Sequence, residues 1–247
     1  MARFAGKSAL ITGAASGIGR AVAEYLAADG ILQLILVDRD AAALEALQLS
    51  CRVDRIVGDV ADLALWSGRD LGQLDFAIIN AGIASAAPIA KLDFDEWRRV
   101  LAVNLDGAFL SLQAALGAIR DGGSVVCVAS AAGIKAEPGI AAYAASKAGV
   151  IQLAKVAAKE VASRGVRVNV IAPAGVETPI WDAVPMFADR AAEVGRDAAF
   201  GEMAAMGTPM GRYAKPIEIA AQVVFLLSAD SGTMTGSVLV SDGGYTL

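Results

Sequence analysis

"SALITGAASGIG", residues 8–19, runs from a short apolar stretch directly into a glycine-rich turn. The first half reads as a buried strand. From Ile18 onward the chain is Ala-rich, with apolar residues at helical spacing. Strand, glycine turn and helix in that order are the setting of a dinucleotide-binding loop: glycines let the backbone turn tightly and approach a pyrophosphate, and the helix amino terminus offers free N–H groups and a favourable dipole. The spacing Gly13, Gly17, Gly19 departs from GxGxxG, and a glycine-rich turn can also be only a turn. Its position between strand and helix favours a cofactor loop made by Gly13, Ser16, Gly17, Ile18 and Gly19.

The same rhythm repeats outward from this point. Strand candidates are "LILV" (34–37), "RIVGDV" (55–60), "FAII" (76–79), "SVVCVA" (124–129), "RVNVIA" (167–172) and "SVLVS" (237–241). They are continuous rather than alternating, as expected of parallel strands covered on both faces. Helical segments are expected at 18–29, 95–119, 143–163 and 216–228. The pattern predicts an α/β fold: one Rossmann-type, doubly wound parallel sheet of about seven strands, with helices on both faces. The 247 residues suit a single domain, and no linker, repeat or low-complexity stretch divides 1–247. The segment between 59 and 76 is short, so its helix is expected to be reduced.

Composition excludes several classes. Hydrophobic residues make up 56% and charged residues 19%, the balance of a folded chain. No window reaches the roughly 18 uninterrupted apolar positions of a membrane span, and the short apolar run after "MARF" does not read as a secretory signal, so a cytoplasmic protein without membrane partners is expected. Net charge is −5 with no Lys/Arg-dense run, which argues against nucleic acid as a partner. Cys51 and Cys127 have no CxxC and the chain has no histidine, so neither a metal site nor a disulfide framework is expected.

Asp38 ends the second strand nineteen positions past Gly19. A carboxylate there accepts hydrogen bonds from adenosine ribose hydroxyls and repels a 2′-phosphate, favouring NAD over NADP. Arg39 is the complication, because a guanidinium can receive that phosphate; both residues can also be read as solvated side chains at a strand end.

"YAASK" (143–147) sets a tyrosine and a lysine at i and i+4, on one helix face. In a chain without histidine, Tyr143 can serve as the acid/base if Lys147 and a positively charged nicotinamide favour its phenolate. By itself the pair can equally be a surface phenol and a solvated lysine. Ser130 ends a strand thirteen residues earlier, and Asn104 in "VNLDG" and "NAG" at 80–82 fall beside element ends on the same side.

With these motifs in register along essentially its whole length, together with "GDV" at 58–60, a proline after the sixth strand and "DGG" at 242–244, the chain resembles the short-chain dehydrogenase/reductases. The resemblance implies that Tyr143 exchanges the proton, Ser130 orients the substrate oxygen, Lys147 binds the nicotinamide ribose, and Asn104 holds a water linking the lysine to solvent. It implies that Asp59 and Val60 face the adenine and that Asn80, Ala81 and Gly82 support the sheet beside the cofactor. Pro173, Gly175, Val176 and Thr178 are implied at the nicotinamide. The family commonly has Pro-Gly after the sixth strand, whereas this chain has Ala174 before Gly175.

Residues 176–214 carry Trp181, Met186, Phe187, Phe200, Met203, Met206 and Met210. The resemblance makes this segment a substrate lid suited to a small hydrophobic, aromatic or cyclic compound; the alternative is that these residues pack against the body of the protein or a second subunit. Arg190, Arg196 and Arg212 are its candidate anion clamps. The expected activity is NAD-dependent interconversion of a secondary alcohol and a ketone. An NADPH-dependent 3-oxoacyl-thioester reductase and a cofactor-binding scaffold without turnover are the other readings. The resemblance also implies a homo-oligomer, with a tetramer favoured and the last helix and strand in its interfaces.

Overall fold

The computed structural model describes residues 3–247. Seven strands form one sheet: β1 (Ser8–Thr12), β2 (Gln33–Asp38), β3 (Arg52–Val57), β4 (Leu74–Ile79), β5 (Ile119–Val128), β6 (Arg167–Pro173) and β7 (Val238–Ser241). Their order is β3-β2-β1-β4-β5-β6-β7, and every adjacent pair is parallel. The helices are α1 (Gly17–Ala28), α2 (Ala41–Ala46), α3 (Leu63–Trp66), α4 (Phe94–Leu101), α5 (Gly107–Ala118), α6 (Ala141–Val161), α7 (Pro185–Val194), α8 (Arg196–Gly207) and α9 (Pro216–Leu227). The order of strands reverses between β1 and β4, and a crevice opens beyond the carboxyl ends of strands at such a point.

Side-chain alternation explains the unbroken apolar runs. In β1, Ala9 and Ile11 enter the core on one face of the sheet while Leu10 enters the core on the other. In β4, Phe76 and Ile78 divide in the same way from Ala77 and Ile79. The first face is covered by α1 and α9, which pack against each other with Val22, Leu26, Val223 and Leu227 buried. The second face is covered by α5 and α6 through Leu112, Val150 and Ala154. Burial of one such leucine or valine is worth about 1.5–3 kcal/mol.

Element bounds differ from the sequence reading where packing overrides local composition. β3 lies at Arg52–Val57 rather than 55–60, because it pairs with β2 from Arg52 opposite Gln33. As an edge strand it is half-exposed and tolerates Arg52 and Asp54, which hide its start from an apolar criterion. The reduced helix expected between 59 and 76 is the four-residue α3, capped by the Asp62 carboxylate accepting from Ala64 N. The helix expected at 95–119 is interrupted by a π turn at Ala102–Asp106. The continuous run Phe94–Ala118 is, among the described residues, the one helical stretch long and apolar enough to cross a membrane by length and composition; here α5 packs on β4 and β5. Segment 176–214 forms a short 3-10 helix at Pro179–Ala183 followed by α7 and α8.

Candidate active site

The turn after β1 is built for close approach. Gly13 and Gly17 adopt φ of 64° and 52°, and a Cβ on Gly19 would collide with the Gly13 carbonyl oxygen. The turn is tied to the end of β4: Thr12 Oγ1 accepts from Asn80 N (2.9 Å) and Ala81 N (3.2 Å), and Asn80 Nδ2 donates to the carbonyls of Thr12 and Gly13, both at 3.0 Å. Asp38 closes the far end, its Oδ2 accepting from Ala15 N at 2.9 Å and its Oδ1 from Asp40 N at 3.0 Å. Arg39 is exposed beside it. After β3, Asp59 accepts from Ala61 N at 2.9 Å, and the buried Val60 receives the Trp66 indole N–H on its carbonyl at 3.0 Å. All these positions except Ala15, Asp40, Ala61, Thr12, Gly19 and Trp66 face one cleft of about 920 Å³.

The same cleft receives Ser130, Tyr143 and Lys147. Ser130 follows β5, and its Oγ accepts from Ala132 N at 3.1 Å. The turn after it lies directly on α6: a Cβ on Gly133 would stand 2.8 Å from Ala148 N and from the Lys147 carbonyl carbon. This contact brings the serine to the helix that carries Tyr143 and Lys147. Lys147 is 4% exposed, and its Nζ donates to the Val128 carbonyl at 3.0 Å and lies 5.8 Å from the Tyr143 ring centroid. Asn104 sits in the π turn, fully buried. Its Oδ1 accepts from Ile83 N (2.8 Å), and its Nδ2 donates to Ile83 O (3.0 Å) and Ser146 Oγ (3.1 Å). One π turn thus connects the loop after β4 to α6; such turns are frequent at functional sites.

Burial pushes the Tyr143 phenol above its ordinary value, and the Ser130 hydroxyl bonded to it pulls the other way. Burial also brings the Lys147 ammonium down to about 8. The sequence reading gives the favouring of the phenolate to Lys147 together with a positively charged nicotinamide. In the protein alone Ser130 lowers the phenol against its burial, and Lys147 Nζ lies 5.8 Å from the Tyr143 ring centroid.

On the opposite wall, Pro173 ends β6, and Gly175, Val176 and Thr178 follow along the cleft. Ala174 N donates to Ser241 O, which continues the pairing with β7. A Cβ on Gly175 would enter the Tyr213 ring, so the glycine one place later than usual meets a packing requirement of this chain.

The family model described as enoyl-(acyl carrier protein) reductase matches residues 13–246. The 3-oxoacyl-[acyl-carrier-protein] reductase of Thermotoga maritima is 36% identical over 257 residues, covering 99% of this chain and all of that protein. Trans-4-hydroxycyclohexanecarboxylate dehydrogenase of Sinomonas cyclohexanicum is 35% identical, covering 99% of this chain and 94% of that one. Among solved structures, levodione reductase superposes with a TM-score of 0.88 at 36% identity, covering 99% of each chain. The chain belongs to the short-chain dehydrogenase/reductase family. It is an oxidoreductase of that family acting with a nicotinamide cofactor on small molecules. The glycine cradle at Gly13, Gly17 and Gly19 fits such a cofactor, since side chains at these positions would fill the turn.

In this short-chain dehydrogenase/reductase, segment 176–214 divides its apolar residues between a small core and the cleft wall. Phe187 and Phe200 are buried in a small core with Tyr213, their rings 4.4 Å apart, and Trp181 stacks on Tyr213 at 5.3 Å. Trp181, Met186 and Met203 line the cleft, while Met206 and Met210 are exposed away from it. The arginines are not available as anion clamps: Arg190 bonds Glu202 and Glu193, Arg196 bonds Asp182, and Arg212 bonds Glu218. Sequence reasoning also missed two loops and the chain terminus. Ala84–Pro88, Glu137–Ile140 and Tyr245 all line the cleft. The Pro-Gly pair at 138–139 and the aromatic residue after "DGG" were the available signals.

Proposed function

We propose that this enzyme interconverts a secondary alcohol and a ketone, with NAD as the hydride carrier and a small neutral, cyclic or otherwise compact compound as substrate. The observation that carries the reading is the convergence of Ser130, Tyr143 and Lys147 in the cleft whose other end is closed by Asp38. A bound nicotinamide supplies hydride transfer to and from the carbinol carbon. Everything else is work for the chain. The Ser130 hydroxyl orients the carbonyl oxygen, Tyr143 delivers the proton to that oxygen on reduction and withdraws it on oxidation, and Lys147 holds the ribose and assists the exchange. Asn104, held by Ile83 and Ser146, fixes the loop that runs past Lys147 and keeps the proposed water near it. Asp59 and Val60 receive the adenine, and Thr178 meets the carboxamide.

Asp38 supports NAD because a carboxylate at the end of β2 would accept from ribose hydroxyls and repel a 2′-phosphate. The apolar faces of Trp181, Met186 and Met203 support a compact substrate with little charge. A thioester reductase acting on a carrier-bound chain is the second reading, favoured by the likeness to the Thermotoga maritima enzyme. The same reading of the whole chain includes assembly of a tetramer in the cytoplasm. Titration of the purified protein with NADH and NADPH, followed by assay of cyclic ketones, secondary alcohols and a 3-oxoacyl thioester, separates these possibilities. Tighter NADH binding and turnover of the cyclic compounds is the expected result. Preference for NADPH with turnover of the thioester would overturn it.

A further inference from the structure

The substrate end of the cleft has a polar feature that its apolar walls do not explain. Among the described residues lining the cleft, Asp38, Arg39 and Asp59 stand at the adenosine end, and Lys147 belongs to the catalytic group. Glu137 is the remaining charged side chain, and it lies in the loop between Ser130 and Tyr143. That loop is pinned on one side, where Ala87 N donates to Gly139 O at 2.7 Å and Ala87 bridges Ile140. On the other side the chain terminus holds it. Lys135 Nζ donates to the Tyr245 carbonyl at 2.7 Å, lies 4.3 Å from the Tyr245 ring centroid, and is 3.9 Å from Glu137 Oε1. Tyr245 itself lines the cleft, and burial together with the proton-accepting Glu137 carboxylate raises its phenol far above the ordinary value. Glu137, Tyr245 and Lys135 therefore form one contact group, of which Glu137 and Tyr245 line the cleft and Lys135 does not.

We propose that Glu137, positioned by Lys135 and Tyr245, selects substrates that carry a neutral hydrogen-bond donor such as a hydroxyl remote from the reacting carbon, and turns away carboxylates. A carboxylate only accepts hydrogen bonds, so it matches a hydroxyl and leaves an anion unpaired and repelled. The 3.9 Å separation from Lys135, whose closer bond is to the Tyr245 carbonyl, leaves acceptor positions on Glu137 free. Lys135, outside the cleft lining, offsets part of the Glu137 charge, while the cations that line the cleft itself are Arg39, beside Asp38, and Lys147.

This inference rests on the ketone-reducing reading of the site, and its test separates the two. Cyclohexanone, 4-hydroxycyclohexanone and 4-oxocyclohexanecarboxylate are compared as substrates with NADH, and as ligands of the NAD+ complex by quenching of Trp181 fluorescence, with Trp181→Phe as the control. The wild type is expected to favour the hydroxy ketone over the carboxylate by about tenfold or more in kcat/KM or in affinity, the size of one charged hydrogen bond. Glu137→Leu should bring that ratio close to one, and Glu137→Lys should invert it. Tyr245→Phe should reduce the preference in part by freeing the carboxylate to move. Equal treatment of the hydroxy ketone and the carboxylate by the wild type, or an unchanged ratio in Glu137→Leu, would overturn the proposal. Failure of all three ketones to turn over would sink the ketone-reducing reading alone, because the quenching ratio still decides the role of Glu137.

Discussion

The proton-exchange role proposed for Tyr143 rests on its position, since burial pushes its phenol above the ordinary value. Tyr143→Phe should leave NADH binding nearly intact and lower kcat by about 10² to 10⁴, the usual worth of positioned proton transfer. Retention of more than about a tenth of wild-type kcat would exclude it as the acid/base. Lys147 offers a test without substrate. Its folded value of about 8 lies below the ordinary 10.5, so between these pH values the unfolded chain binds more protons than the native one. Stability therefore rises with pH across that window, by about 3 kcal/mol at most for a 2.5-unit difference. Below pH 8 the lysine is charged in both states and the full burial cost is present. Compared with Lys147→Met, the wild type should gain in thermal stability from pH 7.5 to 9.5; parallel curves would show that the lysine is charged throughout. The pairing of Tyr143 and Lys147 in one cleft was legible in the sequence because i and i+4 share a helix face. The depression of Lys147 was not, because it depends on burial contributed by β5 and the turn after Ser130.

At the scale of elements, the strands could be read because each is a short apolar run bounded by polar or glycine residues. The π turn could not: "AVNLD" has no local feature that separates it from the helices on either side. Its reason is tertiary, the three hydrogen bonds by which Asn104 joins Ile83 to Ser146. Asn104→Leu would leave buried partners unsatisfied, at about 1–3 kcal/mol each. A fall in the urea midpoint together with weaker NADH binding is expected. Loss of binding without loss of stability would mean that Asn104 acts only at the cofactor. The edge strand β3 was misplaced for the opposite reason, because a half-exposed strand need not be apolar at its start. Segment 176–214 shows the same dependence on packing, for no sequence pattern distinguishes Phe187 and Phe200, which are buried, from Met186, which lines the cleft and is 66% exposed.

For the whole molecule, the strand order follows from pairings between distant segments, and periodicity alone does not contain it. Exposed apolar side chains remain after the chain has folded. Phe94 and Phe109 on α4 and α5 are 70% and 47% exposed, Val156 on α6 is exposed as well, and Ile217, Phe225 and Val240 mark α9 and β7. The buried face of α9 is used within the chain, against α1, so the expectation that this helix serves an interface applies only to its outer side. Light scattering coupled to size exclusion should show a tetramer at micromolar concentration, and Phe109→Glu should shift it to smaller species. A wild-type monomer would remove the oligomer reading. The sheet order has a further consequence, in time. As the chain is synthesised, β1, β2 and β3 can pair early, but β1 keeps an open edge until β4 at Leu74–Ile79 emerges. The apolar side of α1 waits longer still, for α9 at Pro216–Leu227. The first helix made is covered by the last, so a nascent chain stalled short of α9 would expose Val22 and Leu26 to chaperones and to other chains.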